Sequence, residues 1–258
     1  MANGFETKTL CRRISWRIEK MHSFRVKSTA VLAAMLSFLP TLVLADALPA
    51  GPYQLRDATF SVVGATFDAE AVRIALPKNL EHTDNVTGGI NLYIAPEGWG
   101  LAPFSAGYIW VDVKGHDTAS GPARYQVAAF YSDKAFELLK DLGTVEGTTS
   151  EEETEGVVTA TGSIGGEPAI TLSLRPSSSQ CAPEAGVHNY VAPPGADGAA
   201  TFMFVVPYAY QRCTAEVVAV ELSPALMAFR PTSTPWAEYD TDGAIVLGPT
   251  APLEAPAN

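Results

Sequence analysis

Residues 132–147 read SDKAFELLKDLGTVEG. Ala135, Leu138, Leu139 and Leu142 fall at i, i+3, i+4 and i+7, so the spacing predicts a helix over 134–142 with one apolar stripe. Ser132 or Asp133 can cap its first amides, and Gly143 suits the position after the last turn, where positive φ is needed. The stretch also holds Lys134 and Lys140. At about 100° per residue both lie opposite the stripe, and Glu137 stands three residues from each. A nucleophilic lysine needs desolvation or a neighbouring cation to lower its pKa. These two have carboxylates and water instead, and read as solvated surface.

Around this helix the chain reads as strands. Residues 60–63, 90–95 (INLYIA), 107–114 (GYIWVDVK) and 125–131 (YQVAAFY) carry the β-branched and aromatic content of a pleated surface, with turn residues between them. Residues 157–164 (VVTATGSI) and 167–174 (EPAITLSL) flank Gly165-Gly166, which signals a hairpin with a type I′ turn. The same glycines are not a phosphate loop, because no lysine follows and both flanks are strands. Residues 200–206, 215–222 and 244–247 complete the set, and the run SEEETE at 150–155 reads as a solvated loop. These elements predict a mainly β (α+β) fold: a closed or partly closed antiparallel β-barrel or cone with one principal helix, since closure removes exposed edges.

The N-terminus sets the compartment. Residues 30–45 (AVLAAMLSFLPTLVLA) are uncharged and apolar, follow Arg25 and Lys27, and end in small residues. That is the pattern of a secretory signal peptide cleaved after Ala45, with Ala45-Asp46-Ala47 offering a second site and an extended basic flank before the run; Met21 is an alternative start. At about 16 residues with Pro40 inside, the run is shorter than the ~20 that span a bilayer. Membrane contact is therefore expected only transiently, through the signal peptide. The expected organisation is 1–45 leader, 46–247 folded domain, and 248–258 disordered tail rich in Pro and Ala. The net charge of the whole chain is −11; residues 1–45 carry seven Lys/Arg against two Asp/Glu, which leaves −16 on the remainder. So acidic a surface argues against nucleic acid as a partner. Cys181 and Cys213 are an even pair in an oxidising compartment and are expected to form a disulfide worth ~3 kcal/mol.

The order Tyr125, Phe130-Tyr131-Ser132-Asp133-Lys134-Ala135, Leu142-Gly143, an acidic turn, and a Gly165-Gly166 hairpin ending LSLRP resembles the acetoacetate decarboxylase-like superfamily. Residues 75–81 (ALPKNLE) and 217–231 (VVAVELSPALMAFRP) stand where that family has an entrance loop and a closing strand. The resemblance covers roughly residues 76–247 and implies a closed β cone around an internal pocket. It also exposes a departure. After Gly143 the family places a proline and a lysine pair; here stand Thr144, Val145, Glu146 and Gly147, and no lysine follows Lys140. The family's strand glutamate falls at Trp110 in Tyr108-Ile109-Trp110, with Asp112 two residues on. The Schiff-base nucleophile is missing.

The expectation is an exported, periplasmic or extracellular, non-catalytic relative that binds a small organic carboxylate in its barrel. Ligand-binding candidates are Tyr108, Trp110, Asp112, Arg124, Tyr125 and Glu146. Arg124 is the proposed carboxylate clamp. About half of the six should point outward, because side chains alternate along a strand. Two alternatives stay open: a carboxy-lyase, using either a displaced lysine (Lys114 or Lys140) or no lysine, and an envelope or interaction protein without a ligand. No cofactor is expected. His82, His116 and His188 have no partner at metal-ligand spacing, so no metal is expected either. No G-x-S-x-G elbow occurs, His116-Asp117 reads as a turn, and Asn85-Val86-Thr87 matches a glycosylation sequon.

Overall fold

Eleven strands account for most of the computed structural model, which describes residues 51–192, 202–248 and 251–253. In chain order they are β1 (Tyr53–Thr66), β2 (Thr87–Ala95), β3 (Glu97–Trp99), β4 (Phe104–Thr118), β5 (Gly121–Tyr131), β6 (Val145–Thr154), β7 (Val157–Ile164), β8 (Glu167–Ala192), β9 (Phe202–Leu222), β10 (Ser233–Leu247) and β11 (Ala251–Pro252). Helix α1 (Ala69–Ala75) follows β1 and α2 (Asp133–Leu139) follows β5; 3-10 turns cover Lys140–Leu142 and Pro224–Phe229. The expected leader lies outside the described residues.

The sheet runs in the order β10-β1-β2-β4-β5-β6-β7-β8-β9, and β9 pairs with β10 to close the ring. Pairing is antiparallel except where β5 meets β6 and β8 in parallel, at Phe130↔Val145 and Arg124↔Tyr190. The second of these contacts pinches the ring, so it is a partly closed cone. Alternation along β4 shows how one sheet serves two cores. Ala106, Tyr108 and Trp110 face an aromatic interior shared with Phe60, Tyr93, Tyr190 and Tyr208. Ile109 and Val111 face a second, aliphatic layer with Ile90, Ile170, Leu172 and Leu174, covered at its edge by Val72 of α1. Gly107 of β4 sits in close contact with this layer: a Cβ there would overlap Phe130 and Leu92.

The predicted hairpin forms as expected, with Gly165 and Gly166 at φ 61° and 85°. The predicted helix is α2 plus the turn Lys140–Leu142, and Gly143 ends it at φ 74°. Ser132 is its N-cap, yet the Ser132 hydroxyl accepts from the Ser105 amide and donates to Asp133 rather than capping an amide of the helix. Ala135 and Leu139 are buried as the stripe requires, while Leu138 rests on the rim of an apolar cleft with Tyr53 and Leu247.

The structure corrects one expectation and adds three features that the sequence did not announce. Residues 150–154 are the end of β6, paired to β7, and not a loop: Glu152 and Glu153 are exposed, while Glu151 is half-buried and accepts from the Tyr239 hydroxyl. Residues 175–192, rich in Ser and Pro, continue β8 because β9 pairs along them and the Cys181–Cys213 disulfide ties the two strands face to face. Helix α1 has no sequence counterpart in the reading above; Asp68 caps it by accepting from the Ala71 amide. Within the expected tail, Ala251–Pro252 pairs with β9. Among the described residues no helix is long and apolar enough to cross a membrane.

Candidate functional site

The aromatic interior encloses a cavity of about 60 Å³. One wall comes from β2, β4, β5 and β8. Arg124 projects inward from β5, its guanidinium 4.7 Å from the Trp110 ring centroid and its Nη1 donating to the Tyr190 hydroxyl at 3.0 Å. The platform under it is itself fixed: Trp110 Nε1 donates to Asp112 at 3.1 Å, and the Thr87 hydroxyl donates to the other Asp112 oxygen at 2.8 Å. Asn91 Nδ2 donates to the Tyr108 hydroxyl at 2.7 Å, and the Tyr108 and Tyr190 hydroxyls lie 2.9 Å apart. Tyr190 thus accepts from Arg124 and Tyr108 accepts from Asn91, while their shared bond uses one of their two protons. One O–H is left to donate into the cavity.

Among the described residues, no carboxylate lies within ion-pair distance of Arg124. Its direct contacts are ring faces and a neutral hydroxyl, and Asp112, its cross-strand neighbour, acts on it from beyond ion-pair distance. A guanidinium and a hydroxyl donor side by side at a cavity wall have the hydrogen-bonding chemistry that suits a small anion with two acceptor oxygens.

The opposite wall comes from β8, β9 and β10. Glu238 and Asp240 are buried on β10 and face Arg212 of β9, whose Nε lies 2.8 Å from Glu238 and 3.9 Å from Asp240. Glu184 on β8 reaches Arg212 Nη1 at 2.6 Å. Burial pushes the Asp240 carboxyl up to about 8, Glu238 beside it pushes the same way, and Arg212 opposes. His188 stacks on Tyr208 with ring centroids 4.7 Å apart; burial, then Arg124 and Arg212, push it down to about 3, so the ring is neutral. Arg124 and His188 also line two surface clefts beside Trp236, which places them at the passage between solvent and cavity. Among the described residues, no group of three His, Cys, Asp or Glu is placed to hold a metal ion.

Of the six candidates, the structure brings Tyr108 and Arg124 to the cavity, with Trp110 and Asp112 directly behind Arg124. Tyr125 and Glu146 are not there. Tyr125 alternates away from Arg124 and packs with Val113 and Val191, and Glu146 is exposed on β6. The described lysines, Lys78, Lys114, Lys134 and Lys140, are all exposed; Lys114 is paired with Glu81 and Asp84, and Lys140 with Glu137. The sequence reading missed Asn91, His188, Tyr190, Arg212, Glu238 and Asp240. A signal existed: His188-x-Tyr190, Tyr208-x-Tyr210-x-Arg212 and Glu238-x-Asp240 each repeat at the period of a strand, which aims every set at one face.

A cone of strands closed around a polar pocket defines the class of protein. No known family profile matches the chain, and no curated protein matches it in sequence. In three dimensions it is similar to an acetoacetate decarboxylase with TM-score 0.62 and 13% identity, over 84% of this chain and 95% of that one. Its similarity to the acetoacetate decarboxylase of Legionella pneumophila gives 0.60 and 14%, over 80% and 89%. With the enduracididine biosynthesis enzyme MppR, complexed with pyruvate, the values are 0.56 and 13%, over 89% and 100%. The chain has the acetoacetate decarboxylase-like fold.

Proposed function

We propose that this chain is an exported, non-catalytic protein that holds a small organic carboxylate in the cone, without a covalent bond to it. Arg124 carries the reading: a cation with no ion-pair partner among the described residues, held on Trp110 at the wall of an enclosed cavity. The free hydroxyl of the Tyr108–Tyr190 pair supplies a second donor. The covalent alternative has no support in the geometry, because Lys114 and Lys140 are paired with carboxylates on the outer surface. The Cys181–Cys213 disulfide supports export.

Calorimetric titration with acetate, propionate, pyruvate, acetoacetate, lactate and alanine tests the reading. At least one should bind, and Arg124→Gln should weaken it by about tenfold or more, the worth of a hydrogen bond to a charged group. Binding of none, or binding indifferent to Arg124→Gln, would overturn it.

A further inference from the structure

The carboxylate reading uses one wall of the cavity and leaves the other unexplained. There Glu238 and Asp240 line the cavity, and together with Glu184 they gather around one guanidinium, Arg212, which does not line it. The imbalance is paired with unanswered polar atoms. Asp240 is 1% exposed and its Oδ1 has no hydrogen-bond partner; His188 is 6% exposed and its Nδ1 has none. Both residues line the cavity. A buried polar atom left unpaired costs about 1–3 kcal/mol, so a ligand that answers these atoms gains what one that ignores them forgoes. Neutral imidazole and carboxylate oxygen both offer acceptor positions to a hydrogen-bond donor. The rings of Tyr208 and Tyr210, stacked 4.8 Å apart, stand beside this wall, and aromatic faces attract a cation.

One wall thus asks for an anion with acceptor oxygens, and the other for a cation with N–H donors. A 2-oxo acid satisfies the first alone. The cavity of about 60 Å³ has room for roughly four to six water-sized groups. We propose that the ligand is a small α-amino acid zwitterion of glycine-to-alanine size, its carboxylate on Arg124 and its ammonium against Asp240 and Glu238. This rests on the carboxylate reading and adds the class of molecule the site selects.

The test is calorimetric titration of the mature protein with alanine against propionate, lactate and pyruvate, which keep the carboxylate and a similar size. Alanine should bind about tenfold tighter or more. Glycine should bind, and its N,N,N-trimethyl form, which has no N–H, should not; this arm needs no variant to fold. Asp240→Asn and Glu238→Gln should each reduce the preference for alanine over propionate, whereas Arg124→Gln should weaken both. Asp240 is faced by Glu238 from its own strand, by Arg212 and Tyr210 from β9, by Glu184 from β8 and by Arg124 from β5. An ammonium beside it favours its ionised form, so alanine affinity should climb between about pH 6 and about pH 8, and the climb should vanish in Asp240→Asn. Propionate, lactate or pyruvate binding as tightly as alanine would overturn the amino-acid assignment and leave the carboxylate reading standing. So would equal binding of trimethylglycine. Failure of every carboxylate would overturn both.

Discussion

Asp240 and His188 are both buried in uncharged form, and each makes stability depend on pH with opposite sign. Asp240 keeps its proton to about 8 when folded, against an ordinary 3.8. The unfolded chain releases that proton first, so the contribution of Asp240 to stability falls as pH rises from about 4 to about 8. His188 takes up its proton only near 3 when folded, against an ordinary 6.5, so its contribution is lost as pH drops from about 6.5 to about 3. The two oppose each other over the interval they share, and above about 6.5 only the Asp240 slope remains. The melting temperature of the ligand-free protein should therefore decline between about pH 6.5 and about pH 8, and Asp240→Asn should flatten that decline. Parallel declines in the two proteins would show that the proton sits elsewhere. The strand-period repeats that hold Asp240 and His188 aim each at one face of its strand, but not at a site. Each is an ordinary polar side chain until β8 and β10 are known to face one cavity, and no local pattern states which distant strands meet. Tyr108 and Arg124 were legible because their strands carry their own alternation and turn signals.

At the scale of elements, local chemistry was sufficient where the turn or cap lies within a few residues. The Gly165-Gly166 hairpin and the Gly143 helix stop are of that kind. It failed where a partner strand decides, as in the Ser- and Pro-rich second half of β8, held extended by β9. The disulfide ties that pair over a sequence separation of 32. Replacing Cys181 and Cys213 together by serine should cost about 3 kcal/mol in urea unfolding. An unchanged midpoint would mean that strand pairing alone holds the hairpin. Where β2, β4 and β5 press on the aliphatic layer, Gly107→Val has no room beside Phe130 and Leu92. A loss of about 1–3 kcal/mol is expected, the usual cost of overpacking; no loss would mean that Phe130 can swing aside freely.

The whole molecule joins an acetoacetate decarboxylase-like fold to an interior with hydrogen-bonding and charged walls. Export belongs to the same scale: protein recovered from its producing cells should have an intact mass that starts at Asp46, and a retained leader would argue against cleavage there. The fold was legible because the helix, its glycine stop and the hairpin are each written in local sequence, and the overall fold is shared at 13–14% identity with acetoacetate decarboxylases of similar structure. Of the chemistry of the interior, Tyr108 and Arg124 were legible, but Thr144-Val145-Glu146 says nothing of Asp240 or Arg212. The central claim, that this interior holds its ligand without covalent attachment, is tested most directly by borohydride reduction in the presence of acetoacetate or pyruvate, followed by intact mass spectrometry. The account predicts an unchanged protein mass. A mass gain that maps to Lys114, Lys140 or any other lysine would contradict it.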